Sequence, residues 1–265
     1  MKDRILYALN PAYPWKQELH WFPTIGSTND HLRQLAKAGA PQGTAVIADH
    51  QTGGHGRRGR SFHSPEGSGI YLSVLLRPRC KPEKLMHLTC AAAVAMCNAV
   101  ERTAGFRPGI KWTNDLVFGQ RKLGGILTEL GFGPDGTVDW VIVGIGINCS
   151  QRREDFPEEI RDMALSLAMV TGQTPDRAAL AAAMLESLWH MDADLLSHRD
   201  QTLRHYRRDC ITLGKEIVLI RGDDRSYGLA LDIDESGALV VRFRDGSVNA
   251  VNSGEVSVRG MYGYL

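Results

Sequence analysis

The absences in this chain narrow the field first. Its 265 residues include only five cysteines. Cys80, Cys90, Cys97, Cys149 and Cys210 are widely spaced, odd in number and without a Cys-x-x-Cys pair, which excludes a disulfide framework and points to reduced thiols in a cytosol. The same spacing denies zinc a thiolate cluster. His50, His55 and His63 lack metal-ligand spacing, so no structural metal site is expected. No stretch approaches the roughly 18 apolar residues of a membrane span. Residues 1–10 carry no apolar core of a signal peptide. A soluble cytoplasmic protein with no membrane partner is expected. Charge of one sign is missing too: 31 basic residues face 30 acidic ones, without the excess of a nucleic-acid binder.

What is present reads as an α/β chain of the α+β type. Residues 21–25 read as a short strand. Ser27-Thr28-Asn29-Asp30 carries cap chemistry for a helix whose apolar side is Leu32, Leu35 and Ala36, and Gly39 stops it. Residues 45–48, 70–76, 110–112, 116–118, 123–130 and 140–148 read as strands. Residues 82–104 read as one helix, and Asp176 caps another that runs to about Leu196. The arginines of residues 204–208 sit in a helical pattern and read as solvated surface. From Gly214 the character changes: residues 216–220, 226–232, 238–244, 247–251 and 256–259 are short strands separated by Asp223-Asp224, Glu235-Ser236-Gly237 and Asp245-Gly246 turns. That spacing predicts a small antiparallel barrel, hence two domains, 1–212 and 213–265.

Three segments carry chemistry. The first, Gln51-Thr52-Gly53-Gly54-His55-Gly56-Arg57-Arg58-Gly59-Arg60-Ser61-Phe62, runs into a long loop of residues 53–69. Its glycines let backbone amides approach a ligand, and its arginines offer planar donors to carboxylate and phosphate. No Gly-Lys-Ser/Thr follows as in a Walker loop, and the Rossmann fingerprint is incomplete. An RNA-binding segment would call for Arg-Gly-Gly repeats, which are missing. The second segment, Lys111-Trp112-Thr113-Asn114-Asp115 and Arg121-Lys122-Leu123-Gly124-Gly125-Ile126, brackets a hairpin. A solvated tip is the bland reading, but Lys111 on an apolar strand is costly to bury without a partner. The third, Val143-Gly144-Ile145-Gly146-Ile147-Asn148, puts two glycines in a buried strand. Close approach of a ligand and tight core packing both fit.

In this order, with Ser27-Thr28-Asn29 before them and Ser253-Gly254-Glu255-Val256-Ser257 after, these segments resemble the catalytic domain and C-terminal barrel of biotin–protein ligases over nearly the whole chain. The resemblance implies a mixed-sheet fold related to class II synthetases and lipoate ligases, with an SH3-like barrel behind it. It implies two steps: biotin and ATP, with Mg²⁺, give biotinoyl-AMP, and biotin then passes to one lysine of a biotin carboxyl carrier domain. By resemblance Ser27, Thr28, Asn29, Gln51, Gly54 and His55 serve biotin, and Arg57 and Lys122 hold its carboxylate and the α-phosphate. Arg58, Arg60, Phe62, Lys111, Asn114, Asp115, Asn148 and Arg259 serve ATP or the adenylate. Arg57, Lys122 and Asp115 are the candidate catalytic residues, and a homodimer is an open expectation.

Three positions depart from the family pattern. His55 stands where a basic residue is usual, lowering local charge at neutral pH. Thr113 replaces a proline, which should alter backbone stiffness only. Phe62 replaces a tryptophan and offers less stacking area. The chemistry is coherent in its own right. A carboxylate does not react with a lysine amine at neutral pH. Adenylation supplies a leaving group, and two anions can meet only where cations await them. The long loop is expected to close over the adenylate and keep water out. The nearest rival, a lipoate–protein ligase, would carry an Arg-Arg-x-x-Gly-Gly-Gly signature, which is not found. A binding module that only sequesters biotin would turn over no ATP. Only 26 residues precede Ser27, against the roughly 60 of a helix-turn-helix domain, so DNA binding is not expected.

Overall fold

The computed structural model describes residues 1–252 and the backbone of Ser257–Gly260. A short helix α1 (Lys2–Ala8) leads to strand β1 (Leu19–Ile25), helix α2 (Thr28–Lys37), and strands β2 (Ala45–Gln51) and β3 (Gly69–Leu76). Helix α3 (Leu88–Ala104) follows, then β4 (Gly109–Lys111), β5 (Asp115–Phe118), β6 (Arg121–Phe132) and β7 (Val138–Asn148). Helices α4 (Leu167–Thr171), α5 (Arg177–Asp194) and α6 (Arg199–Asp209) complete the larger part. These strands form a seven-stranded sheet in the order β1-β2-β3-β7-β6-β5-β4. β1 and β2 run parallel and the other neighbours antiparallel, so the expected mixed sheet is present.

The sheet is two-faced for a simple reason. Successive strand side chains point to opposite sides. On β3, Ile70, Leu72, Val74 and Leu76 enter the core beneath α3 and α5, while Leu75 packs with Leu32 and Ala36 of α2. On β7, Val141, Val143, Ile145 and Ile147 join the first core, and Trp140 and Ile142 join the second. Gly144 and Gly146 continue the phase of Trp140 and Ile142. The face that carries α2 therefore has a bare stretch of backbone in mid-sheet. Each buried Leu or Ile opposite adds about 1.5–3 kcal/mol, so the sheet is anchored from one side and left free to build a site on the other.

Two readings need correction. Residues 82–104 are not one helix: a 3-10 turn (Pro82–Leu85) precedes α3, and the chain breaks at Met86-His87. The reason is His87, whose buried ring reaches the end of α5, with Nε2 3.0 Å from the Leu195 carbonyl. The basic stretch on α6 is not all solvated surface either. Arg207 donates to Asp232 and to the Ile233 carbonyl, and Tyr206 is wholly buried.

The last part is a five-stranded antiparallel sheet in the order β11-β10-β9-β8-β12. Its strands are β8 (Glu216–Arg221), β9 (Asp224–Ile233), β10 (Leu239–Phe243), β11 (Val248–Val251) and β12 (Ser257–Gly260). Val256, expected in the last strand, lies outside the described residues. The Asp234–Gly237 turn is self-braced: the Asp234 carboxylate accepts from Ser236 N, Ser236 Oγ and Ala238 N. Its Gly237 carbonyl accepts the indole N–H of Trp112 at 3.0 Å, so this turn plugs into the larger part beside α3.

Candidate active site

The bare face forms the floor of a cavity of about 290 Å³. At its polar end, Ser27 caps α2 by accepting the Asp30 N–H at 3.4 Å. The cap puts Thr28 and Asn29 in the first turn, above the sheet. The Thr28 amide and hydroxyl lie 2.8 and 3.0 Å from Gln51 Oε1, and Gln51 Nε2 donates to Ser64 Oγ. A methyl group on Gly144 would come within 1.9 Å of Asn29 Oδ1, and one on Gly146 within 2.4 Å of the Phe62 ring. The two glycines are thus required by side chains lying flat on the strand, from α2 and from the Gly/Arg loop. His55 Nδ1 stays 3.1 Å from the Gly53 carbonyl, and its Nε2 is 3.8 Å from Asp30.

The Gly/Arg loop folds back on itself. Phe62 N donates to the Gly54 carbonyl and Gly56 N to the Arg60 carbonyl. Arg58, at the tip, takes the left-handed conformation (φ 59°), a strained choice for a residue with a Cβ. Its guanidinium reaches the Ile220 carbonyl of β8 at 3.5 Å. Arg57 points inward and donates to Asn114 Oδ1 at 3.0 Å, while Asn114 Nδ2 holds the Ile126 carbonyl. Burial pulls the Arg57 pKa below its ordinary value, and Asp115 opposes that pull. Asp115 pairs with Lys122 at 2.7 Å. Lys111 is 5% exposed and its side chain joins the wall. The Trp112–Thr113 peptide is cis, and the Thr113 carbonyl accepts from the Tyr206 hydroxyl at 3.0 Å.

Five cationic side chains line the cavity among the described residues (Arg57, Arg58, Arg60, Lys111 and Lys122) against one carboxylate, Asp115. Such a balance in a low-dielectric cleft favours an anionic ligand strongly.

Nearly every residue expected from the sequence meets here. Ser27, Thr28, Asn29, Gln51, His55, Arg57, Arg58, Arg60, Phe62, Lys111, Asn114, Asp115, Lys122 and Asn148 all line the cavity. Gly54 sits one layer back, where an added methyl would strike Ser64 Oγ, Gln51 Nε2 and the Phe62 carbonyl. It serves the loop's own fold. The Arg259 side chain lies outside the described residues. A further wall was not anticipated: Phe156, Ile160, Met163 and Ala164, from the segment after β7. That segment is pinned to β6 by Lys122 N to the Met163 carbonyl and Leu165 N to the Lys122 carbonyl. Asn148 Nδ2 donates to the Leu165 carbonyl. Its only signal in the sequence was a scatter of apolar residues outside any strand or helix pattern.

The cavity lining therefore combines a polar slot over bare backbone, a group of cations tied to Asn114 and Asp115, and an aromatic and aliphatic wall. Residues 21–148 match the biotin/lipoate A/B protein ligase family, and residues 212–259 match the biotin protein ligase C-terminal domain. The chain is 37% identical to a bifunctional ligase/repressor of Bacillus spizizenii, over 87% of this chain and 71% of that protein. It is 33% identical to a biotin–[acetyl-CoA-carboxylase] ligase of Mycobacterium tuberculosis, over 91% and 89%. The solved structure of a biotin protein ligase from Aquifex aeolicus in complex with biotin and ATP superposes with a TM-score of 0.79 at 32% identity, covering 91% of this chain and 98% of that one.

Proposed function

The chain belongs to the biotin/lipoate A/B protein ligase family, and from that premise we propose how it works as an ATP-dependent biotin–protein ligase. The observation that carries the reading is the convergence of Arg57 and Lys122 on the middle of the cavity, tied to Asn114 and Asp115. A ligand with a polar head in the Ser27–Thr28–Gln51 slot and a short apolar tail would bring its carboxylate to that point. ATP lying against Phe156 and Met163 would bring its α-phosphate to the same point from the other side.

In the first step a biotin carboxylate oxygen attacks the α-phosphorus. The bond to the β-phosphate oxygen breaks, pyrophosphate leaves, and biotinoyl-AMP remains. Arg57 and Lys122 hold the two anions together and neutralise charge that builds on the phosphoryl oxygens, the role in which fixed cations are most effective. Magnesium enters with ATP as part of that substrate, and Asp115 is the carboxylate that would face it. In the second step a carrier lysine amine attacks the acyl carbon and AMP leaves with the bonding electrons. A free lysine has a pKa of ~10.4, so a base is needed, and in this reading Asp115 orients or accepts that proton.

The division at residues 212/213 is kept in this reading, with the small sheet as a support that meets the loop at Arg58. The acceptor is read as a carboxyl carrier domain in a cytoplasmic setting. Recognition of DNA is left out of the reading. The deciding experiment mixes the protein, Mg·ATP and a carrier domain with either biotin or lipoate. A mass gain of one biotinoyl group on one lysine is expected with biotin alone. Labelling with lipoate instead would move the reading to the rival ligase, and ATP-independent binding without transfer would reduce it to a sequestering module.

A further inference from the structure

From the polar slot backward, through Thr28 and Asn29 of the cavity wall to groups behind it, runs a chain of polar groups whose proton directions can be counted. Arg33, from α2, donates through Nε and Nη2 to Glu129 Oε2. Guanidinium only donates, so that end of the chain has a fixed sense. The other Glu129 oxygen lies 2.8 Å from Asn29 Nδ2. Only the amide N–H can bridge that gap, so Asn29 must turn its oxygen the other way, toward Ser73 Oγ at 2.6 Å. Asn29 Oδ1 has no proton, so the single Ser73 proton goes to it. Ser73 Oγ is then left as an acceptor, 2.8 Å from Thr28 Oγ1.

On its other side Thr28 meets Gln51 Oε1, whose orientation is set because it accepts the Thr28 amide at 2.8 Å while Nε2 serves Ser64. Both neighbours of the Thr28 hydroxyl therefore show it lone pairs. Its proton must point inward to one of them, and toward the cavity it can only accept. Ser27 has the opposite sense: its oxygen is engaged by the Asp30 amide, which leaves its proton for the cavity. An adjacent donor and acceptor match a cyclic urea, with its carbonyl oxygen and neighbouring N–H.

We infer that Arg33, Glu129, Asn29 and Ser73 act as positioning residues, a one-way hydrogen-bond relay that holds Thr28 as an acceptor and so selects a ligand presenting N–H at that point. The relay rests on the biotin reading above and acts on the ligand through Thr28. Ser73 is fully buried in β3, and Glu129 and Arg33 lie behind the slot.

Glu129→Gln reverses the relay without changing its shape. The new amide turns its oxygen to Arg33 and its NH₂ to Asn29. Asn29 must then turn over and donate to Ser73, and the Ser73 proton falls on one lone pair of Thr28 Oγ1. Gln51 Oε1 is then the one inner acceptor left for the Thr28 proton, which is free to swing to the cavity and meet the ligand N–H. Exchanging the two types, Asn29→Asp with Glu129→Gln, restores the original sense. The carboxylate then sits on α2 and accepts both from the amide introduced on β6 and from the Ser73 hydroxyl.

The probes are biotin and its two cyclic carbamate isomers, in which ring oxygen replaces one ureido N–H. Wild type should bind one isomer at least about tenfold more weakly than biotin, the cost of one unmet hydrogen bond in a dry site. Glu129→Gln should weaken biotin several-fold, while that isomer, whose ring oxygen can accept the freed Thr28 proton, binds as well or better, so the ratio falls toward one. The exchanged pair should bring the ratio back. Thr28→Val, which removes the acceptor, must also lower the ratio, and Ser73→Ala, which removes the last link of the relay and the lone pair it turns to Thr28, must lower it too, so a poorly folding Glu129 variant does not leave the question open.

Equal weakening of all three ligands by Glu129→Gln would mean simple loosening and would overturn the relay, as would an unchanged ratio or failure of the exchanged pair to restore it. A wild-type protein that binds no biotin would instead remove the functional reading and the relay's ligand with it.

Discussion

At the scale of single residues, Arg57 and Lys122 are both cations beside the same point, yet their loss should differ. Lys122 is carried by the rigid β6 strand and paired with Asp115. Arg57 rides on the loop and ties it to Asn114. Lys122→Ala should mainly abolish adenylate formation. Arg57→Gly should lose one or two charge-assisted hydrogen bonds of about 1.5–3 kcal/mol each and also free the loop backbone. Release of biotinoyl-AMP should then accelerate by roughly ten- to a few-hundred-fold. Blotting for biotin on a mixture of carrier domain and an unrelated lysine-rich protein checks this, with diffuse labelling expected for Arg57→Gly. Strict labelling of the carrier at wild-type rate would mean that Arg57 does not hold the adenylate. Such residues were readable from sequence through the order of several motifs, which resembles that of biotin–protein ligases; arginines among glycines or a lysine at a hairpin, taken alone, have blander uses. The reason for Gly144 and Gly146 was not readable. It lies in Asn29 and Phe62, which are distant in sequence and fill the space a side chain would need.

At the scale of elements, the central strands were legible because short runs of Val, Ile and Leu, apolar on both faces and bounded by turn residues, are a strong signal of buried strand. The break before α3 was not, since it depends on a carbonyl at the far end of α5 that only the fold brings to His87. The segment from Phe156 to Ala164 was missed for a related reason: it has no period of its own and is ordered by hydrogen bonds to β6. α5 also carries a measurable pH dependence. Burial pushes the Asp192 carboxyl up to about 6, although Gln42 donates to it at 2.6 Å. A carboxyl whose folded pKa exceeds its unfolded value of ~3.9 favours the fold when protonated. That contribution is full below the unfolded pKa and fades as pH rises through about 6. Asp192→Asn should therefore melt higher than wild type at pH 7, and its melting temperature should vary less with pH between about pH 4 and 6. An unchanged slope across that window would remove Asp192 as its source.

At the scale of the whole molecule, the two sheets meet at a joint that composition and spacing did not reveal. Gly237 lies at φ +83°, and a methyl group there would come within 2.9 Å of Cys90 Sγ and 3.4 Å of His87 Cα. Its carbonyl holds Trp112, which opens the turn that presents Asn114 and leads into Asp115. Gly237→Ala should cost about 1–3 kcal/mol through backbone strain and crowding, lowering the melting temperature by several degrees in a chain of this size. Adenylate formation should fall with it, because Trp112 would shift along with its partner. A destabilised variant with wild-type adenylation would show the joint to be purely structural. The expected boundary at 212/213 had signs in turn chemistry and strand length, whereas the docking of one turn between α3 and α6 is a tertiary fact.

The Trp112–Gly237 contact also has a meaning in time. Chains are made from the N-terminus, and early parts begin to fold before late parts exist. A nascent chain that has reached α6 already contains the Gly/Arg loop, Lys122 and every described wall of the cavity. It still lacks the carbonyl that steadies Trp112. A site meant to hold a reactive acyl phosphate is thus braced only after residue 237 has been made, and a synthesis that stalls before it yields a cavity without its brace.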